Sequence, residues 1–163
     1  MPSPTRTLLP AVSLALLAAL PPAQAADDAL LARGRYLVQI SGCNDCHTSG
    51  YLMGPDKVPE SDWLKGDSLG WYGPWGTTYP SNLRLALSDL SESQWLALAR
   101  GANFRPPMPN QTLHRMTDDD LRAIYQLVKH LGPAGAPAPM ALPPGDLPEG
   151  PVVMFPMPPA ANK

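Results

Sequence analysis

An all-α domain, with three main helices joined by long loops, is the fold class this sequence predicts, and three observations predict it. Apolar residues recur at helical spacing before residue 41, after Ser91 and after Thr117. The stretch between the first two is broken so often by glycine and proline that it holds neither a long helix nor a regular sheet. Between the first helix and that loop lies the run Cys43-Asn44-Asp45-Cys46-His47.

Asp27 to Ile40 reads as the first helix, with Leu30, Gly34, Leu37 and Val38 on one face and Asp27 and Asp28 suiting its positive end. A glycine inside a helix costs about 1 kcal/mol relative to alanine, so Gly34 predicts a second helix crossing closely there. Ser41 to Leu90 is loop by its signals, and it carries Trp63, Trp71 and Trp75. So long an irregular segment is reasonable when it wraps a large buried object. The second helix opens at Ser91-Glu92-Ser93-Gln94, a capping-box pattern, and shows Trp95, Leu96, Leu98 and Ala99 as its apolar face up to Gly101. The third has Thr117 as cap, three aspartates in its first turn, and Lys129 and His130 in its last. Its stripe is Leu121, Ile124, Tyr125, Val128 and Leu131, and Gly132-Pro133 stops it.

The Cys43–His47 run is the spacing by which haem is attached to a chain. Each thiol adds to one haem vinyl group, and the next residue, His47, supplies an imidazole to the iron. A thioredoxin-type dithiol would need a βαβ context, which is lacking. A structural zinc site would need a second ligand pair, and only His114 and His130 remain. A disulfide between the two cysteines would close a very short loop and leave His47 without a role. One covalently attached haem c per chain is therefore expected.

The iron's sixth site decides between an electron carrier and a reactive haem. Met108 is the expected ligand, because the prolines of Arg105-Pro106-Pro107-Met108-Pro109 stiffen its loop and lower the ordering cost of holding the thioether. His114 is the alternative. Met53 follows His47 too closely, Met116 abuts the third helix, and Met140, Met154 and Met157 lie in the C-terminal stretch. For the haem propionates the nearest donors are Trp75, Tyr79, Asn82 and Arg84, which read equally well as core aromatics and a surface charge.

The two ends have their own character. Arg6 precedes an apolar run from Leu8 to Leu20, and Ala23-Gln24-Ala25 closes an A-x-A pattern, so residues 1–25 read as a signal peptide. The apolar run is too short to span a bilayer. Residues 26–132 form the expected haem domain, and the remaining chain is expected to lack an integral membrane span. Export to the periplasm agrees with a chain whose only two cysteines both lie in the motif. Losing Arg6 moves the formal charge from −2 to −3, which leaves no footprint for nucleic acid. Residues 133–163 hold ten prolines and few charges, predicting an extended tail, with Val152-Val153-Met154-Phe155 in need of cover.

The haem motif, the proline-flanked Met108 and the final Thr117–Tyr125 helix together resemble a class I cytochrome c over about residues 27–132. Gly76-Thr77-Thr78-Tyr79-Pro80-Ser81-Asn82-Leu83 is further similar to haem domains of periplasmic dehydrogenase cytochrome subunits, which usually carry several such motifs where this chain has one. The resemblance implies an all-helical cytochrome c fold whose first and last helices cross near a glycine and an aromatic, matched by Gly34 and Tyr125. It implies a proline carbonyl accepting from the His47 ring, matched by Pro55, with Pro59 as alternative. It also implies a one-electron carrier rather than an enzyme, exchanging electrons with a dehydrogenase, an oxidase or another cytochrome. A haem subunit docked on a larger dehydrogenase or oxidase is one alternative. A haem enzyme or sensor with a labile sixth ligand is the other.

Overall fold

A computed structural model describes residues 22–157; the expected signal peptide lies outside the described residues except for its last four. Six α-helices and three short strands follow one another, with three single 3-10 turns (Tyr51–Met53, Pro55–Lys57, Glu60–Asp62) between α2 and β1: α1 (Pro22–Ile40), α2 (Cys43–His47), β1 (Gly70–Gly73), β2 (Gly76–Thr78), α3 (Leu83–Ala86), α4 (Glu92–Gly101), α5 (Asn110–Arg115), α6 (Asp118–Leu131) and β3 (Val152–Met154).

The three expected helices are α1, α4 and α6. In α1, Leu37 and Val38 are buried and Leu30 packs against the core, as its spacing predicts. The helix begins earlier than expected, at Pro22 rather than Asp27. Ser91 caps α4 through the reciprocal box with Gln94, and Trp95 and Ala99 are buried. Leu98, expected on that face, is exposed: it lies three residues from Trp95 but on the outer edge of the buried stripe. Thr117 caps α6 by accepting from the Asp120 N–H. Its buried face is broader than a single stripe, because Ala123 and Leu127 are inside as well.

The core lies where α1 crosses α6. A Cβ on Gly34 would run into the Ala123 carbonyl and come to 2.9 Å of Leu127 Cβ, so only glycine lets the two backbones approach this closely. The glycine thus meets the expected crossing. Its expected aromatic counterpart, Tyr125, lies on α6 between Ala123 and Leu127, is buried, and donates its hydroxyl to the Leu90 carbonyl at 2.8 Å. Arg33 on α1 pairs with Asp120 on α6 at 2.8 Å, and Trp95 of α4 donates to the Leu121 carbonyl at 2.8 Å.

The domain is not purely α-helical, which corrects the expected all-α class. β1 and β2 form an antiparallel hairpin, with Trp71 opposite Thr78. β3 then adds in parallel, with Trp71 opposite Val153, giving the order β2-β1-β3. The strands are too short, and too rich in glycine, to show the alternation by which strands are recognised. β3 leaves Val152, Val153 and Phe155 half-buried, while Met154 stays exposed. Phe155 sits 5.1 Å from the Trp75 ring and 6.1 Å from that of Trp71. Among the described residues, the segment 134–157 has no helix and is fastened along the domain.

Arg84 shows how that fastening begins. It is buried, and its guanidinium donates to the carbonyls of Ser61 (2.8 Å), Gly132 and Leu131. It thereby closes the C-terminal end of α6, whose last carbonyls have no partner within the helix. Replacing Arg84 with methionine should destabilise the domain by about 2–4 kcal/mol, since carbonyls at the α6 terminus lose charge-assisted donors. A fall in the urea midpoint checks this, and lysine at the same position should recover part of it.

Candidate haem site

The five motif residues form α2, a single helical turn. Gly42 precedes them in the left-handed region at φ 71° and redirects the chain out of α1. Asn44 and Thr48 lock the turn from beneath: Thr48 Oγ1 donates to Asn44 Oδ1 at 2.8 Å and accepts the Leu64 N–H at 2.8 Å. Leu64 is fully buried at φ 62°, an uncommon conformation held by that bond and by the N–H groups of Leu83 and Arg84 donating to its carbonyl.

Cys43 and Cys46 are free thiols, each half-buried, and Cys43 packs against the apolar core. Burial pushes the Cys43 thiol up to about 11 and raises that of Cys46 as well. Burial thus disfavours the thiolate that dithiol–disulfide exchange needs.

His47 is only 8% exposed. Its Nδ1 lies 2.7 Å from the Ser81 carbonyl, and because a carbonyl only accepts, Nδ1 carries the proton and Nε2 presents a lone pair. Burial lowers its pKa, against the smaller opposing effect of that hydrogen bond, so the ring is held neutral and able to ligate a metal. The acceptor corrects the expectation of Pro55 or Pro59. Pro55 is exposed and its carbonyl accepts instead from the Val58 N–H at 3.3 Å. Ser81 reaches His47 because Gly66 folds the loop back, donating to the His47 carbonyl at 2.8 Å.

Met108 is half-buried and packs against the same apolar core as Cys43. Met116 does so too, while Met53 is 89% exposed. His114 is occupied, with Nε2 3.1 Å from the Ala102 carbonyl. The Met108 loop is closed at its base by Asn110, which accepts from the Phe104 N–H (2.8 Å) and donates to the Phe104 carbonyl (3.0 Å).

Three of the four expected propionate donors are engaged in hydrogen bonds within the chain. Trp75 Nε1 donates to the Trp71 carbonyl, and Asn82 donates to the carbonyls of Ala134 and Ala136 while capping α3. Arg84 closes α6. Tyr79 lines a groove of about 800 Å³ beneath the C-terminal segment, beside Met140 and Leu142. Sequence reasoning missed another pair: Trp71 Nε1 and Thr78 Oγ1 are buried without a hydrogen-bond partner among the described residues. They are cross-strand neighbours and so share one face of the sheet. Only the strand register, absent from the one-dimensional pattern, separates Trp71 from Trp75 in this respect.

Two free thiols one turn apart, a neutral oriented imidazole on the same turn, and the buried Asn44 Nδ2 of that turn still wanting an acceptor are a donor set that suits a covalently held haem. Among the described residues no cluster of histidine, cysteine and carboxylate is able to hold a metal ion by itself.

No family model matches the chain, and no solved structure matches it. Among curated proteins, the cytochrome c subunit of the quinone alcohol dehydrogenase of Gluconobacter oxydans (strain 621H) is 33% identical over 118 residues, covering 66% of this chain and 23% of that one. The fructose dehydrogenase cytochrome subunit of Gluconobacter japonicus is 27% identical over 120 residues, covering 67% and 23%. The chain thus spans less than a quarter of the length of these relatives. The similarity supports a cytochrome c-like domain.

Proposed function

We propose that the chain is a monohaem class I cytochrome c that carries single electrons in the periplasm, with Cys43 and Cys46 as thioether residues and His47 and Met108 as axial ligands. The observation that carries this reading is the His47 ring, held neutral by burial and turned by Ser81 so that Nε2 is free beside two unpaired thiols. When bound, the haem supplies the one-electron iron couple. The chain's own residues do the rest. Ser81 orients His47 and raises its basicity, the proline-flanked loop presents the Met108 thioether, and the α1–α6 core keeps water from this side of the motif. Trp71 Nε1 and Thr78 Oγ1, buried on one face of the sheet without a partner among the described residues, join the donors expected from sequence as candidates for the propionates; Asn44 Nδ2, buried and unpartnered likewise, lies within the motif itself.

Residues 1–25 are proposed as a leader removed on export. A cut after Ala25 leaves α1 starting at Ala26, with Asp27 and Asp28 in its first turn, where the helix dipole favours acids. No described helix is long and apolar enough to cross a membrane.

The exported, haem-loaded protein should show one iron per chain and titrate as a single one-electron couple. Its reduced form should bind carbon monoxide slowly, because Met108 must first leave. Rapid binding would overturn the carrier reading in favour of a haem enzyme or sensor. The names of the two relatives favour a second arrangement of the same chemistry, a haem subunit docked on a larger dehydrogenase. Co-purification of a dehydrogenase with the chain from periplasmic and membrane fractions distinguishes it from a free carrier.

A further inference from the structure

The extended segment after Pro133 and the Met108 loop are joined by one side chain. Arg105, three residues before Met108, donates through Nη2 to the carbonyl of Trp75 in the β1–β2 turn and to that of Leu142 at 3.0 Å. Leu142 is itself fixed by paired backbone bonds with Thr77, at 2.9 and 3.1 Å. Gly76, at φ 91°, makes room for it: a Cβ there would collide with the Leu142 carbonyl. Beyond Leu142, β3 and Phe155 fasten the segment to β1 and its two tryptophans. The segment is a strap anchored on both sides of Leu142, and the loop is tied to it.

We propose that Arg105 is a positioning residue for Met108, and that the strap, through a carbonyl 37 residues downstream, holds the Met108 loop in its closed position. This rests on the His47 and Met108 reading above. A thioether is a weak neutral ligand, so its occupancy of the iron depends on how rarely the loop opens. The prolines stiffen the loop locally, and Asn110 closes its base, but neither ties it to the rest of the domain. Arg105 does. An external ligand that binds only when the loop is open has its apparent affinity scaled by the open fraction, which makes that fraction measurable.

The test titrates the oxidised, haem-loaded full chain with imidazole and follows the absorbance spectrum. Arg105→Ala is expected to raise the apparent imidazole affinity about tenfold, the effect of losing a charge-assisted tether. Arg105→Lys should recover part of it, since an ammonium reaches one carbonyl more readily than two. Gly76→Ala displaces the Leu142 carbonyl while leaving Arg105 in place, and should shift the affinity in the same direction. Arg105 is exposed, so its two variants decide the matter should Gly76→Ala fail to fold. Affinities within about twofold of the parent, whatever happens to thermal stability, would overturn the proposal and leave Arg105 a purely structural tie. Met108→Ala is run alongside. If it binds imidazole no more tightly than the parent, the axial assignment itself has failed; if it binds far more tightly while the Arg105 variants do not move, only the strap has failed.

Discussion

Replacing Gly34 with alanine is expected to destabilise the domain by about 2–3 kcal/mol, lowering the melting temperature by on the order of 10 °C or more. The added methyl would meet the Ala123 carbonyl and lie 2.9 Å from Leu127 Cβ. Helix backbone does not yield locally as a flexible side chain does, so α1 and α6 would have to separate and loosen Leu37, Val38, Leu127 and Val128 together. Alanine's better helix propensity offsets only about 1 kcal/mol of this. Gly101→Ala is the control. Nothing lies within 4 Å of a Cβ at Gly101, so that variant should be neutral or slightly stabilising. Thermal melts of the two proteins side by side check the pair, and equal losses would refute the close crossing as the cause.

Cys43→Ala/Cys46→Ala is expected to abolish covalent haem altogether. The denatured double variant should carry no haem through a gel, whereas each single variant retains one possible thioether and some pigment. The physical ground is the pairing of the two free thiols with His47 on one helical turn. Haem that stays with the denatured double variant would sink the assignment of these two residues. A double variant that folds and still binds haem reversibly, seen by its spectrum before denaturation, would separate attachment from pocket formation.

Legibility from the sequence divides along a physical line. The capping box at Ser91, the Thr117 cap and the glycine at the helix crossing are all readable because caps and periodicity act within a few residues. The short helices α3 and α5 escaped, being four and six residues long, too short for a period to declare itself. So did the sheet: β3 pairs with a strand some eighty residues earlier, and its partners are set by register rather than by local preference. The same limit bears on the propionate candidates. Asn82 and Arg84 look like free donors in one dimension, but their acceptors are carbonyls around Leu131 to Ala136 that only folding brings near. Pro55 as the His47 acceptor failed similarly, since the loop returns through Gly66 and offers Ser81.

By itself the sequence determined the chemistry of this protein: two thiols and an imidazole at fixed spacing, a stiff methionine loop, and helices whose ends and apolar faces are encoded locally. The tertiary structure decided which nitrogen of His47 is free, which tryptophan keeps an unpaired donor, and that the proline-rich segment is a strap tied to the Met108 loop rather than a loose tail. The reason is common to all three. Each depends on hydrogen bonds between groups far apart in the chain, and the identity of a distant partner is fixed only when the core of α1 and α6 and the β1–β2 hairpin bring the two ends together.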